Sequence, residues 1–316
     1  MKDFGKQPLS KQLKRTNAGR TLATFTNSII EQFRQLGKNR TGEIYSSALA
    51  SFLRFNSGKD IALKKINPDI MMLYESYLQT ERRITRNSSS FYMRVLRAIY
   101  NRAVEQGITK DNSPFKYVYI GVDRTVKRAL HLQEIKKISS LNLAGKRRQA
   151  FARDLFMFSF YTRGMSFVDM AYLKKSDLRY GVLTYRRRKT GQQLQIKWEK
   201  CMQAFIDKWG TGTADFLLPI ITCEKKDYRT QYQSAMSYMN ILLKQVGAMA
   251  GVNIPLTTYV ARHSWASIAR SRNIPLSVIS EGMGHDSERT TQIYLSSLES
   301  SVIDRANRLV IKALQG

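Results

Sequence analysis

The chain of 316 residues has two cysteines, six prolines and three histidines, and the shortages narrow what it can be. Cys201 and Cys223 form no C-x-x-C pair and neither stands among histidines. A disulfide framework and a metal site are therefore unsupported, and two reduced thiols are expected. No stretch approaches the ~18 uninterrupted apolar residues of a membrane span. The N-terminal run MKDFGKQPLSKQLKR also lacks the apolar core of a signal peptide. The expectation is a cytoplasmic protein. Acidic residues are scarce as well, 24 against 52 basic ones, leaving a formal charge of +28. Such self-repulsion points to a polyanionic partner, and nucleic acid is the default one. A membrane surface is the rival, but the basic residues are spread through both halves rather than gathered on one amphipathic helix.

What is present reads as two domains with a short extra arm, since 43% hydrophobic residues let each half bury a core. Residues 1–20 are polar and basic and read as an N-terminal arm ordered on a phosphate backbone, or as a plain disordered terminus. Residues 21–110 then form a small helical bundle. Leu22, Phe25, Ile29, Phe33 and Leu36 recur at helical spacing, and Gly37 stops the run. A second helix carries Ile44, Ala48, Phe52 and Phe55. Asn67-Pro68 opens a third, with Asn as cap and Pro in the first turn. A fourth runs from about Asn87 to Gln106. Arg82, Arg83, Arg86, Arg94, Arg97 and Arg102 gather around the last helices, and DNA contact is preferred over a merely solvated face.

Residues 111–124 are a linker candidate, although Phe115, Tyr117 and Tyr119 suggest that it packs on something. A second domain, 125–316, opens with helices at 131–140 and 146–161, with His131 at a helix entrance and no chemistry assigned to it. The middle of Arg163–Leu178 is a further helix. Strands follow at about 176–178, 182–186 and 193–197, with turns at Tyr180-Gly181 and Lys189-Thr190-Gly191. A three-stranded antiparallel sheet fits, with Lys189 at a hairpin tip. The rest is helical: 199–209, about 228–249, and the stretch TTYVARHSWASIARSRNIPLSVISEGMGHDSERTTQIYLSSLES, Thr257–Ser300. Val302, Ile303, Ala306, Leu309, Val310 and Leu314 give the tail an apolar stripe suited to docking.

Basic groups alone bind DNA without cutting it. Cutting a phosphodiester without metal needs cations on the non-bridging oxygens, a nucleophile, and a proton donor for the departing sugar oxygen. Tyr294 can be the nucleophile, giving a covalent phosphotyrosine that conserves the bond energy for religation. Arg262 can clamp the phosphate with its planar fork, and Lys189 can reach the leaving oxygen. No acidic cluster suggests bound Mg²⁺, which favours the covalent route over two-metal hydrolysis.

The combination TTYVARHS, GMGHDSERTTQIY, RRRKTG and RGMSFVDM resembles the tyrosine recombinase (phage integrase) family, particularly integrases of mobile elements in Bacteroides-type bacteria. The resemblance covers essentially the whole chain. It implies a mainly α fold with a small antiparallel β-sheet, made of a helical, SAM-like core-binding domain and an α+β catalytic domain. It implies a 3′-phosphotyrosyl intermediate and no cofactor. It also implies double-stranded DNA as partner, a tetramer assembled on DNA from a free monomer, and an accessory DNA-bending protein as a candidate helper. Residue by residue, Tyr294 matches the nucleophile and Arg262 the second catalytic arginine. His285 matches the position that hydrogen-bonds the transition-state phosphate. Lys189 matches the hairpin general acid, and Asp169 the buttressing acid.

Two positions depart from the family pattern. Tyr259 stands where a histidine is usual, and Ser166 stands where the first catalytic arginine is usual. Arg163, three residues earlier, is the expected substitute if one helix includes both positions and places them on one face. The alternative is that Arg163 binds DNA or caps the preceding helix, with Arg186, Arg187 or no residue supplying the charge. Arg186 and Arg187 join Arg82, Arg83, Arg86, Arg94 and Arg97 as predicted DNA-binding residues. His263 either orients a neighbour or simply packs in its helix. The rival functions are a type IB topoisomerase, which relaxes supercoils without site preference, and a catalytically inactive DNA-binding protein.

Overall fold

A computed structural model describes residues 20–123, 128–213, 215–285, 287–288, 291–292, 308 and 311. The basic arm, Tyr294 and the apolar stripe of the tail fall outside the described residues. The chain divides into two compact units, Met1–Thr125 and Val126–Gly316. Together they are mainly helical with one small sheet.

Among the described residues the first unit holds four α-helices, α1 (Leu22–Gln35), α2 (Asn39–Phe55), α3 (Pro68–Thr80) and α4 (Arg86–Glu105). Each buries one stripe: Phe25 and Ile29 from α1, Phe52 from α2, Tyr74 and Leu78 from α3, Met93, Ile99 and Tyr100 from α4. Asn67 caps α3 by accepting the Ile70 amide at 3.0 Å, with Pro68 at the first helical position. Tyr74 carries a hydroxyl into this core. Its hydroxyl donates to Ser51 Oγ at 2.8 Å, and burial pushes the phenol well above the usual tyrosine value. Residues 111–123 are not a free linker. Phe115 and Val118 are buried in this core, and the Tyr119 amide donates to Glu75 at 3.0 Å. Burying side chains such as Phe115 and Val118 is worth about 1.5–3 kcal/mol each, enough to hold the segment down.

The second unit is built around α6 (Arg147–Tyr161), which is preceded by α5 (Leu132–Ser139). Leu155, Phe156, Met157 and Phe158 are consecutive and all buried, so α6 is wrapped on most sides. It packs against α8 (Lys200–Trp209), α9 (Tyr228–Met249) and α10 (Val260–Ser271). A short α7 (Phe167–Ala171) leads into the sheet, and α11 (Leu276–Met283) follows α10. The sheet runs β1 (Leu178–Arg179), β2 (Val182–Arg186), β3 (Gln193–Lys197), all antiparallel, in sequence order. Its first strand begins later than the expected 176–178, because Lys175–Asp177 close a 3-10 turn in which the Lys174 amide donates to Asp177. Along β2 the buried positions are Leu183 and Tyr185, paired with Ile196 and Leu194 of β3. Among the described residues, no helix is long and apolar enough to cross a membrane.

Candidate active site

The site lies within the second unit, where the turn after α6, the β2–β3 hairpin, α10 and the end of α11 meet. Arg262 is its fixed point, 2% exposed on α10. Its Nη1 donates to the Gly164 carbonyl at 2.9 Å and its Nη2 to the Met283 carbonyl at 2.7 Å. Met283 ends α11, so its carbonyl belongs to the unpaired, partly negative end of a helix. Gly164 sits at φ +72°, and a Cβ there would lie 2.6 Å from Arg262 Cα, so only glycine lets the turn approach. Burial pulls the Arg262 guanidinium down to about 10, with the charge of Arg187 the next cause.

His285 follows the α11 cap. Gly284 is left-handed, and the His285 amide donates to the Ser280 carbonyl at 3.0 Å, a Schellman-type helix end. Arg262 Nη2 contacts His285 Nε2 at 2.9 Å, and His285 Nδ1 contacts Thr291 Oγ1 at 2.7 Å. A guanidinium only donates, so Nε2 accepts and Nδ1 carries the proton given to Thr291. Burial, then the charges of Arg262, Arg187 and Lys189, hold the imidazole down to about 4. At neutral pH His285 is therefore a neutral acceptor toward Arg262. In this form it can give Nε2–H to a phosphate only after taking up a proton.

The hairpin contributes three residues of opposite habit. Arg186 is exposed and donates to the Gly191 carbonyl at 3.2 Å. Arg187 continues the inward alternation of Leu183 and Tyr185 and is 5% exposed. Its Nη1 donates to the Gly284 carbonyl, and its Nε lies 3.7 Å from Asp169 Oδ2. Gly284 is constrained here too, since a Cβ on it would meet Arg187 Cδ at 2.7 Å. Arg187, a predicted DNA-binding residue, is turned inward by the pleat. Lys189 is exposed in the turn between β2 and β3, as its spacing predicts.

Asp169 is 3% exposed on α7. Its Oδ2 accepts from Ser166 Oγ at 2.6 Å and its Oδ1 accepts the Arg188 amide at 2.9 Å. It thus ties the helix to the hairpin. Arg163 does not share that helix. Ser166 is the N-cap of α7, while α6 ends at Tyr161 and the Gly164 amide donates back to the Ser159 carbonyl at 2.8 Å. Arg163 takes the left-handed position between them, at φ +59°, and is half-buried against Gly282. The one-face route from Arg163 to the position of Ser166 is therefore closed. Tyr259, half exposed at the start of α10, meets His263 edge-on with ring centroids 4.9 Å apart. Among the described residues no three His, Cys, Asp or Glu side chains gather to hold a metal.

Of the arginines predicted to touch DNA from the first unit, Arg82, Arg83, Arg94 and Arg97 are exposed. Arg86, also exposed, stacks 3.7 Å over the Tyr119 ring and lies 3.8 Å from Asp123, so it also holds the segment after α4.

Comparison with known proteins decides the family. Residues 127–300 match the phage integrase family, and residues 21–118 match the phage integrase SAM-like domain. The chain belongs to the phage integrase family. The tyrosine recombinase XerA of Pyrococcus furiosus is 27% identical over 60% of this chain and 65% of its own length. The chain thus spans just under two thirds of that relative. A tyrosine recombinase of Pseudothermotoga lettingae is 22% identical over 84% of this chain and 90% of its own. In fold, the chain resembles the lambda integrase (75–356) dimer bound to a COC′ core site, with a TM-score of 0.68 and 16% identity over 88% of this chain and 96% of that one. The XerH recombinase bound to its difH substrate gives 0.58 at 18% identity, over 93% of this chain and 84% of that one. In this phage integrase the described site brings together the buried Arg262 and Arg187 and the exposed Lys189. The residue that sequence reasoning undervalued is Arg187, and its signal was the alternation in VLTYRRR.

Proposed function

We propose that this phage integrase is a site-specific DNA recombinase of a mobile element, of the kind found in Bacteroides-type bacteria. It cleaves and rejoins double-stranded DNA in a cytoplasmic tetramer. The observation that carries this reading is the convergence of Arg262, Arg187, Lys189 and His285, with Asp169 the one buried acid among the described residues. Tyr294, three residues beyond the anchored Thr291, attacks the scissile phosphorus through its phenol oxygen. The bond to the 5′-oxygen breaks, and the 3′-phosphate is left on tyrosine. Arg262 turns from Nε2 of His285 onto a non-bridging oxygen, where a preorganised donor is worth about 10²–10³-fold in rate. The freed Nε2 takes the phenol proton, and the resulting imidazolium donates to the phosphate. Lys189 gives its proton to the departing 5′-oxygen. Religation runs the same transfers backwards with a second 5′-hydroxyl as nucleophile.

The test is covalent. The protein is incubated with DNA flanking its own gene, the mixture is denatured in SDS, and the phosphotyrosyl junction is mapped. A wild-type adduct at one defined site, absent from Tyr294→Phe, is expected. An adduct that survives Tyr294→Phe overturns the assignment, and relaxation of supercoils without any preferred site turns the reading toward a topoisomerase.

A further inference from the structure

The family pattern places an arginine where this chain has Ser166, and Arg163 sits in the turn before α7 rather than on it, only half-buried against Gly282. A transferring phosphate would then meet a single buried guanidinium from the helices. The structure holds a second one. We propose that Arg187 is that second clamping guanidinium, supplied from the β2–β3 hairpin in place of the arginine missing at Ser166. The inference rests on the recombinase reading above and goes beyond it by assigning the displaced charge.

Three observations carry it. The first is incomplete satisfaction. Arg187 is 5% exposed, yet its Nε has no hydrogen-bond acceptor, and the nearest acid oxygen, Asp169 Oδ2, is 3.7 Å away. A guanidinium has five donors, and a purely structural staple buried this deeply would be saturated with acceptors. The second is where the shortage lies. Of the five buried side-chain atoms lacking a hydrogen bond among the described residues, three belong to the hairpin loop: Arg187 Nε, Thr190 Oγ1 and Gln192 Oε1. The same loop presents Lys189. The third is charge. Arg262 and Arg187 are both buried and close enough that the charge of Arg187 is the largest acting on Arg262. Among the described residues Asp169 is the one buried carboxylate, and its charge acts on Tyr185 together with theirs. Two buried cations against one anion store a repulsion that an incoming phosphate relieves.

Ser166 fits the exchange. Its hydroxyl donates to Asp169 Oδ2 at 2.6 Å, so the residue that lost the arginine now orients the carboxylate that faces Arg187. The arginine has moved from helix to hairpin, and its acidic buttress has stayed.

The experiment measures single-turnover adduct on a duplex carrying the mapped cleavage site, with either a phosphate or a neutral methylphosphonate at the scissile position. Removing the non-bridging charge makes a residue that opposes that charge dispensable, which no loss of packing can imitate. On phosphate, Arg187→Ala should lose about 10²-fold or more, as for one lost preorganised donor. On methylphosphonate it should regain most of that loss relative to wild type. Arg187→Lys, which keeps charge but not the fork, should fall between wild type and Arg187→Ala. Arg163→Ala should retain at least about tenfold more adduct on phosphate than Arg187→Ala. Thermal melts accompany each variant, and if Arg187→Ala does not fold, Arg187→Lys and Arg163→Ala decide between the two arginines. Overturning results are near-wild-type yield from either Arg187 variant, an equal loss on both linkages from folded protein, or a methylphosphonate-rescued loss in Arg163→Ala alone. Wild-type protein forming a Tyr294-dependent adduct while Arg187 variants behave in one of those ways sinks this assignment and leaves the recombinase reading standing. No adduct from wild type sinks both.

Discussion

Arginine is used in two opposite ways in the two units. In the first, Arg94 and Arg97 lie one turn apart on the exposed face of α4, free to meet phosphates as solvated charges. In the second, Arg262 and Arg187 are buried and aimed by main-chain carbonyls of Gly164, Met283 and Gly284. An exposed charge contributes affinity that salt screens. A buried, oriented fork costs no reorganisation when charge develops on a phosphate, so it contributes rate. The difference predicts that the two sets fail differently.

Arg262→Ala should break the contrast most sharply. Adduct formation should fall about 10³-fold, the upper range for one preorganised donor. The carbonyls of Gly164 and Met283 lose their partner as well, at about 1–3 kcal/mol for each buried group left unsatisfied. The melting temperature should therefore drop too, while DNA retention in a gel shift stays near wild type. Weakened retention with an unchanged rate from the bound complex would mean that Arg262 is only another anchoring charge.

Gly284→Ala probes the aiming rather than the charge. The residue is left-handed at φ +63°, which costs a side chain about 1–2 kcal/mol, and the new Cβ would press on Arg187 Cδ. A shift of about 1 Å in a reacting group can cost ~10²-fold, so cleavage should fall far more than the melting temperature suggests. Adduct yield at the wild-type level would show that Arg187 need not be held in place.

Much of this was legible in the sequence. The stripes in 21–106, the Asn67-Pro68 helix start and the Lys189 turn all rest on local chemistry that tertiary packing left alone. One reading failed and one residue was undervalued for want of a step that was available. Ser166-Phe-Val-Asp169 is a Ser-x-x-Asp capping signature, which starts a helix at Ser166 and so separates Arg163 from it. VLTYRRR in a strand puts positions 183, 185 and 187 on one face, which makes Arg187 an inward residue. What the sequence could not carry is the packing of 111–123 on the first unit, or the shared use of Gly164 and Gly284 as clearance for two arginines. Those depend on distant elements meeting, and no local period records them.

On the exposed side, the double variant Arg94→Ala with Arg97→Ala should weaken binding without touching chemistry. If each arginine neutralises one phosphate, the slope of log affinity against log salt should shrink by about 1.8. The cleavage deficit should vanish once protein saturates the DNA. A deficit that persists at saturation would move these residues into the rate-determining geometry.

The smallest effect separates the two regions by pH. His285 is held down to about 4 in the folded chain, chiefly by burial, against about 6.5 when free. Between those values the folded state binds fewer protons than the unfolded one, so stability rises with pH across that window. The contribution is complete above about 6.5 and is lost as pH falls toward 4. Other carboxylates titrate in the same range, so the readout is a difference between two proteins. In His285→Gln the side-chain oxygen can accept from Arg262 and the amide can donate to Thr291, with nothing left to titrate. Melting temperatures of wild type should therefore fall faster than those of His285→Gln between pH 6.5 and 4, and run parallel above pH 7. Parallel curves throughout would mean that folding leaves His285 at its free value, so that the buried setting does not hold the imidazole neutral. The buried contact between Arg262 and Nε2 would then not set the state of the imidazole, and the proton path drawn for Tyr294 would have to rest on another group.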